Sequence, residues 1–228
     1  IQSYMEQVDW PKYAEDFDDV PGAHDLVLTL VAILRQDSQA VPAFGDLLRT
    51  GSWKVRWGTL SAIQLTPIRD ARFLPGLDLT LRDVNREVRF RAALLLSEIP
   101  DPKMVPIARR VVQSERDHMI RIKAAEGLGR QRQTDGAILL LGYLTHTDVW
   151  VREAAGLALG SVRTPGVHDG LVAALKKEKT NIVQGAILDS LRAHTGRAWF
   201  DLRDQHLGPG WRPDRPTPAK TKKSPTPH

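Results

Sequence analysis

Hydrophobic and polar positions along this chain follow the spacing of helices, and one arrangement of them returns at a nearly fixed interval. Valine or isoleucine stands at Val55, Val88, Ile120, Val151 and Val183, at steps of 33, 32, 31 and 32 residues. Four and eight residues after each anchor come Thr59 and Ile63, Ala92 and Leu96, Ala124 and Leu128, Ala155 and Leu159, and Ile187 and Leu191. A helix turns by about 100° per residue, so these three positions form one apolar stripe. The alanine at the middle position lets a second helix approach closely. Three residues before each anchor stand Ser52, Asn85, Asp117, Asp148 and Thr180, side chains that accept from the free amides of a helix's first turn.

Between these capped helices lie second amphipathic segments, AVPAFGDLLRT, ARFLPGLDLTLRD, PKMVPIARRVVQ, GAILLLGYLTH and GVHDGLVAALKKE, joined by turn sequences such as IPDP and VRTPG. The pattern predicts a helical hairpin of about thirty-two residues used five times. A hairpin this small cannot bury both of its apolar faces, so neighbours must stack. The expected fold is all-α, a right-handed α-solenoid of about five such hairpins. Glycines 127, 129, 156 and 160 alternate with leucine inside capped helices and are expected at close helix contacts.

The residue after the anchor is Arg56, Arg89, Arg121 and Arg152 in the first four repeats and Gln184 in the fifth. At the edge of the apolar stripe, such an arginine packs its stem while its guanidinium reaches a cap or carboxylate of the adjacent repeat, which makes it a structural ladder. This D-x-x-V-R pattern followed by A-A or A-x-x-x-L resembles HEAT repeats, in particular the short HEAT-like form found in phycobilisome-lyase-type proteins. The resemblance covers roughly residues 24–193, and the short, alanine-rich style suggests a bacterial source. Residues 1–23 then form an acidic N-terminal extension and 194–210 a capping segment, with Trp199 and Phe200 covering the last repeat. Residues 211–228 make a basic tail rich in proline and lysine.

Composition changes this picture in few places. The 228 residues are 42% hydrophobic, and no apolar run reaches the eighteen or so residues that a membrane-spanning helix requires. Cysteine is absent, which excludes disulfides and thiolate metal sites but leaves the compartment open, cytoplasmic or exported. The net charge of +5 is unevenly distributed. Residues 1–25 carry seven carboxylates against Lys12, and the chain from Arg192 onward carries eight Lys or Arg against three Asp. Five of those cations fall in GPGWRPDRPTPAKTKKSPTPH, a stretch with six prolines and no apolar periodicity, which reads as a solvated extension.

Candidate chemistry is sparse. The seven histidines include no pair at the i, i+4 spacing that places two metal ligands on one helix face. The His-carboxylate dipeptides His24-Asp25 and His168-Asp169 do not repeat in register, as a di-iron HEAT-like hydroxylase would require. There is no nucleophile elbow and no phosphate loop, and the aromatic and aspartate cluster of the HEAT-like alkylpurine DNA glycosylases has no counterpart here. Neither catalytic residues, metal nor cofactor is expected.

Position +2 of the capped helices points about 150° from the centre of the apolar stripe and should be polar. It carries Trp57, Phe90 and Ile122 before turning to Glu153, and Leu94 and Leu157 extend the row at +6. Large apolar groups on an expected concave surface mark a partner site, and Arg91 and Lys123 at +3 would flank it with positive charge. The expected function is a non-enzymatic scaffold or adaptor for a protein or peptide, within a larger complex. The competing account of the row is a cover formed by the N-terminal segment through Tyr4, Trp10, Tyr13 and Phe17. Two alternative functions are nucleic-acid binding, through Arg89, Arg91, Arg109, Arg110, Lys123 and the tail lysines, and a lyase-like or chromophore-attachment helper implied by resemblance alone.

Overall fold

The computed structural model of the protein describes residues 23–37, 39–208 and 211. Among these residues it is all-α. Helix α1 (Ala23–Gln36) precedes five hairpins: α2 (Ala40–Thr50) with α3 (Trp53–Gln64), α4 (Leu74–Thr80) with α5 (Arg86–Glu98), α6 (Met104–Ser114) with α7 (His118–Arg130), α8 (Thr134–Tyr143) with α9 (Val149–Leu159), and α10 (Val167–Lys177) with α11 (Asn181–Thr195). A 3₁₀ turn, Ala71–Phe73, leads into α4, and α12 (Trp199–His206) closes the described chain. The odd-numbered helices from α1 to α11 pack side by side in chain order, and the even-numbered helices form a second layer behind them. Consecutive odd helices touch along the whole array; in the even layer α2 packs on α4, whereas α4 and α6, and α6 and α8, barely meet, so from α4 onward the odd layer lies on the inside of the curve. The protein is an α-solenoid.

The predicted stripe is the core. Val55, Val88, Ile120 and Val183 are wholly buried and Val151 nearly so, together with the +4 and +8 residues of each repeat. Ser52 accepts from the Val55 amide, Asn85 from Glu87 and Val88, Asp117 from Met119 and Ile120, and Asp148 from Trp150, which fixes the start of four inner helices. Thr180 departs from its expected role. It precedes α11 in extended backbone but makes no capping bond, because its hydroxyl accepts from Nη2 of Arg152 at 3.2 Å instead.

Helix α7 is where the two halves of the core join. Its Ile120, Ala124 and Leu128 belong to a cluster that runs back to α1, while its Ile122 and Ala125 belong to one that runs forward to α12. A helix enclosed on nearly every side needs small residues at its crossings. A Cβ on Gly127 would lie 2.9 Å from Cα of Ser97, and one on Gly129 would lie 2.5 Å from Val162. On α8, a Cβ on Gly136 would reach the carbonyl oxygen of Ala125 at 2.5 Å. Helix α12 lies over α10 and α11 with Leu202 buried and Trp199 half-buried against the second cluster. Phe200, expected to share that work, is 64% exposed, its ring lying edge-on to Trp199 and under the guanidinium of Arg203.

The arginine ladder is a chain of clasps. Nε of Arg56 donates to Asp83 at 2.5 Å, that of Arg89 to Glu115 at 2.8 Å, and that of Arg152 to Glu178 at 2.8 Å, each acid lying in the next repeat. Each of these acids stands two residues before an N-cap, and its second oxygen accepts from the cap's backbone amide. Arginine and acid together therefore fasten the turn inside one hairpin to the turn inside the next. The third joint is different. The residue two before Asp148 is His146, whose Nδ1 takes the Asp148 amide at 3.1 Å as the carboxylates do elsewhere but offers Arg121 no negative charge. The guanidinium of Arg121 lies 5.8 Å from the Tyr143 ring centre instead, and its buried Nε makes no hydrogen bond among the described residues.

Three outcomes are expected. Gly136→Ala drives a methyl into backbone and should destabilise the fold by about 2 kcal/mol in denaturant unfolding. His146→Glu gives Arg121 the acid that the other joints have and should stabilise by about 1 kcal/mol, a rise in Tm of about 2–4 °C by calorimetry. The third concerns acid. Burial opposes ionisation of Glu115 and Glu178, but backbone amides and the guanidiniums of Arg89 and Arg152 outweigh it and hold both carboxyls below the usual range. A depressed carboxyl stabilises the fold above its unfolded value, about pH 4, and that stability is lost as pH falls through the folded value. Glu115→Gln with Glu178→Gln should be less stable than the wild type at pH 7, and the gap should close toward pH 3.

Candidate partner-binding site

The inner surface of the solenoid is made by the faces of α3, α5, α7, α9 and α11 that turn away from the even layer. The structure breaks the expected apolar row there. Trp57 and Ile122 are 1% and 0% exposed and cannot meet a partner as they stand. The cause is close packing between neighbouring inner helices. Arg91 of α5 lies over the Trp57 indole at 4.5 Å, and Ile122 belongs to the second core cluster, to which α7 and α9 contribute the small side chains of Ala125, Ala155 and Ala158. Phe90 and Leu94 are half-buried, with the guanidinium of Arg86 5.9 Å from the Phe90 ring centre. The N-terminal segment named as a cover lies outside the described residues.

The expected positive rim is also committed internally. Arg91 ion-pairs with Glu87 at 3.2 Å and donates to the side chain of Gln64 at 3.0 Å, while Gln64 donates back to the Arg91 carbonyl. Burial lowers the pKa of Arg91, and the charge of Glu87 only partly restores it. Lys123 pairs with the buried Glu126 at 3.0 Å, which Arg130 and Ser161 also contact. The other cations considered for nucleic acid are matched in the same way, Arg89 with Glu115, Arg109 with Asp135 at 2.8 Å and Arg110 with Asp78. The tail lysines lie outside the described residues.

From α3 to α11 the large exposed apolar side chains of the inner helices are on α9, Leu28 of α1 being a separate one at the start of the array. Trp150 is 60% and Leu157 51% exposed, and seven residues is about 20° short of two full helical turns, so both stand on one face. Glu153 sits between them on the same side of the helix. It is half-buried, has no cation within ion-pair distance among the described residues, and burial pushes its pKa up. At the register of Trp150, one residue before the anchor, the flanking inner helices carry Met119 and Ile182, both half-buried against the second core cluster. The apolar row of this protein therefore runs through Met119, Trp150 and Ile182, three residues away from the +2 register, and its charge is a carboxylate.

The sequence contained that row. Lys54 and Glu87 occupy the same register in the first two repeats, and only the last three repeats carry Met, Trp and Ile there. It was obscured because a residue next to the anchor reads as first-turn core. Leu157 and Glu153 stood out by their positions, and the structure adds Trp150 to them. The structure also joins residues that spacing within a helix could not. His118 and His146 lie with ring centres 4.7 Å apart and their planes tilted by 59°, and Nδ1 of His118 lies 3.2 Å from the Tyr143 hydroxyl. Among the described residues no group of three histidine, aspartate or glutamate side chains is placed to hold a metal ion. None of their helices is long and apolar enough to cross a membrane.

Comparison with known proteins agrees with the architecture. No curated protein matches the sequence. The family model for HEAT repeats matches residues 74–143 and again 115–192, together spanning more than half of the chain. The matched segments run from α4 into α11, through stacked hairpins with a capped inner helix and an arginine one residue past its buried anchor. On both sequence and structure, the chain belongs to the HEAT-repeat family.

Proposed function

We propose that this protein is a non-enzymatic scaffold or adaptor that binds a protein or peptide on the concave face of its last three hairpins. Arrays of HEAT repeats typically serve as protein-interaction scaffolds and are generally not enzymes. One observation carries the reading for this chain: Trp150 and Leu157 are exposed on an inner helix on either side of a half-buried Glu153. Exposed aromatics at the centre of a concave surface are the usual energetic anchors of an interface. Glu153 sets the partner's chemistry. A lysine or arginine brought beside it pairs with a carboxylate that has already lost part of its hydration, and can rest against the face of the Trp150 indole. The partner segment is thus one with a cation next to an apolar side chain. This reverses the acidic partner expected from Arg91 and Lys123, whose charges are satisfied within the chain. The same internal pairing disfavours nucleic acid, because phosphate contacts need cations free of carboxylates. Nothing in the site favours chromophore attachment.

The test uses the full chain as bait for its natural partner and then measures affinity by titration calorimetry. Trp150→Ala with Leu157→Ala should weaken binding at least thirty-fold, about 2 kcal/mol, while leaving stability within about 0.5 kcal/mol of the wild type. Glu153→Lys should weaken it further. Trp57→Ala should instead cost roughly 3 kcal/mol or more of folding stability. Unchanged affinity in the Trp150 and Leu157 double variant would move the site elsewhere.

A further inference from the structure

Where α12 leans across the last hairpin, it leaves a cavity of about 650 Å³ between itself and α10. Its floor is apolar, formed by Val172, Ala173 and the buried Leu202. Its rim carries Lys176 and Lys177 from the end of α10 and Arg197 from the turn before α12, with His168 and His206 at either side and Asp169 as the sole lining carboxylate. Elsewhere on the solenoid guanidiniums such as those of Arg56, Arg69 and Arg86 meet the acids Asp83, Glu98 and Asp117, although that of Arg121 does not. Here Lys176 and Lys177 have no carboxylate within ion-pair distance among the described residues, and Arg197 donates only to the neutral side chain of Gln205, at 2.5 Å.

The helix dipole accounts for part of this charge and no more. Lysines in the last turn of α10 complement its carbonyl end, but His168 stands in the first turn, where positive charge is disfavoured, and Arg197 belongs to no helix. The cations converge on the cavity from two separate segments. Burial lowers the pKa of His206, and the charges of Lys176, Arg197 and His168 lower it further, as expected for an imidazole facing uncompensated positive charge. Three permanent cations against one carboxylate leave two positive charges with both imidazoles neutral.

We infer that the cavity between α10 and α12 is a binding site for a phosphomonoester carried on an apolar stem. A dianion matches the two uncompensated charges, whereas a single carboxylate would leave one. The apolar floor takes the stem, and the volume lies in the usual range for small-ligand sites. The phosphoryl group can come from a free metabolite or from a phosphorylated side chain of another protein, and the pocket recognises the chemistry that they share. The site lies on the α10–α12 side of the last hairpin, separate from the α9 surface, and stands or falls independently of it.

Titration calorimetry of the full chain at pH 7.5 distinguishes the outcomes, with phenyl phosphate, inorganic phosphate, benzyl alcohol and a phosphotyrosine peptide as probes. Phenyl phosphate should bind at least ten-fold more tightly than inorganic phosphate or benzyl alcohol, since each of those has half of the recognised features. Lys176→Gln with Arg197→Gln should weaken it at least ten-fold without moving the unfolding midpoint. Bound phosphate favours the imidazolium, so the titration of His206, followed by NMR, should move upward against burial and the pull of Lys176, Arg197 and His168, Asp169 being the one acid that lines the same cavity. A peptide ten-fold tighter than phenyl phosphate identifies a phosphorylated side chain as the source, and equal affinity identifies a free ester; both support the site. Phenyl phosphate binding no better than benzyl alcohol, or equal binding to the double variant, would overturn it.

Discussion

A hairpin of two short helices has more apolar surface than it can bury against itself, and that excess determines the rest of this structure. Each inner helix must lie against the inner helices before and after it, so its surface divides among the even layer behind, two neighbours at the sides, and a narrow strip facing the concave solvent. The three-sided enclosure explains why α7 is buried almost all round and why its crossings require glycine. Shape rather than hydrophobicity limits such contacts, because interiors are packed to crystal-like density and a single methyl group has nowhere to go.

The joints show how polar chemistry is fitted into the same constraint. The turns inside the hairpins leave backbone amides and carbonyls near the core, and each must find a partner. An arginine that binds the carbonyls of its own turn and the acid of the next, with that acid capping the following helix, satisfies several groups at once. Such pairs cost desolvation, so their contribution lies as much in fixing the register of successive repeats as in net stability. Where His146 takes the acid's place, the backbone bond survives and the charge pairing does not. The third joint therefore differs in electrostatics from its neighbours while keeping their geometry.

Much of this was legible in the sequence because repetition multiplies a weak signal. One helix with an apolar anchor is ambiguous; five anchors at steps of 31 to 33 residues define helix starts, stripe and stacking order. The surface was harder to read, for a physical reason. Whether a +2 residue faces solvent depends on how closely the neighbouring helices approach, and that is set by small residues in other repeats. Ile122 is buried in a core cluster that includes Ala155 and Ala158 of the next inner helix, and Arg91 folds across Trp57, neither of which follows from the residue's own position. Charges behaved likewise. Arg91 and Lys123 read as a rim until their partners, Glu87, Gln64 and Glu126, were placed beside them, whereas Glu153 is left without a cation among the described residues. The groups at the α10–α12 cavity come from segments about twenty residues apart whose meeting depends on how α12 folds back.

The central claim is that no hairpin is stable without its neighbours, and native-state hydrogen exchange resolved by residue tests it most directly. In a stack held by nearest-neighbour contacts, the amides of α5, α7 and α9 should be the most protected and open together, with protection falling toward α1 and α12. Equal protection in all five hairpins, each opening independently of the next, would contradict the account.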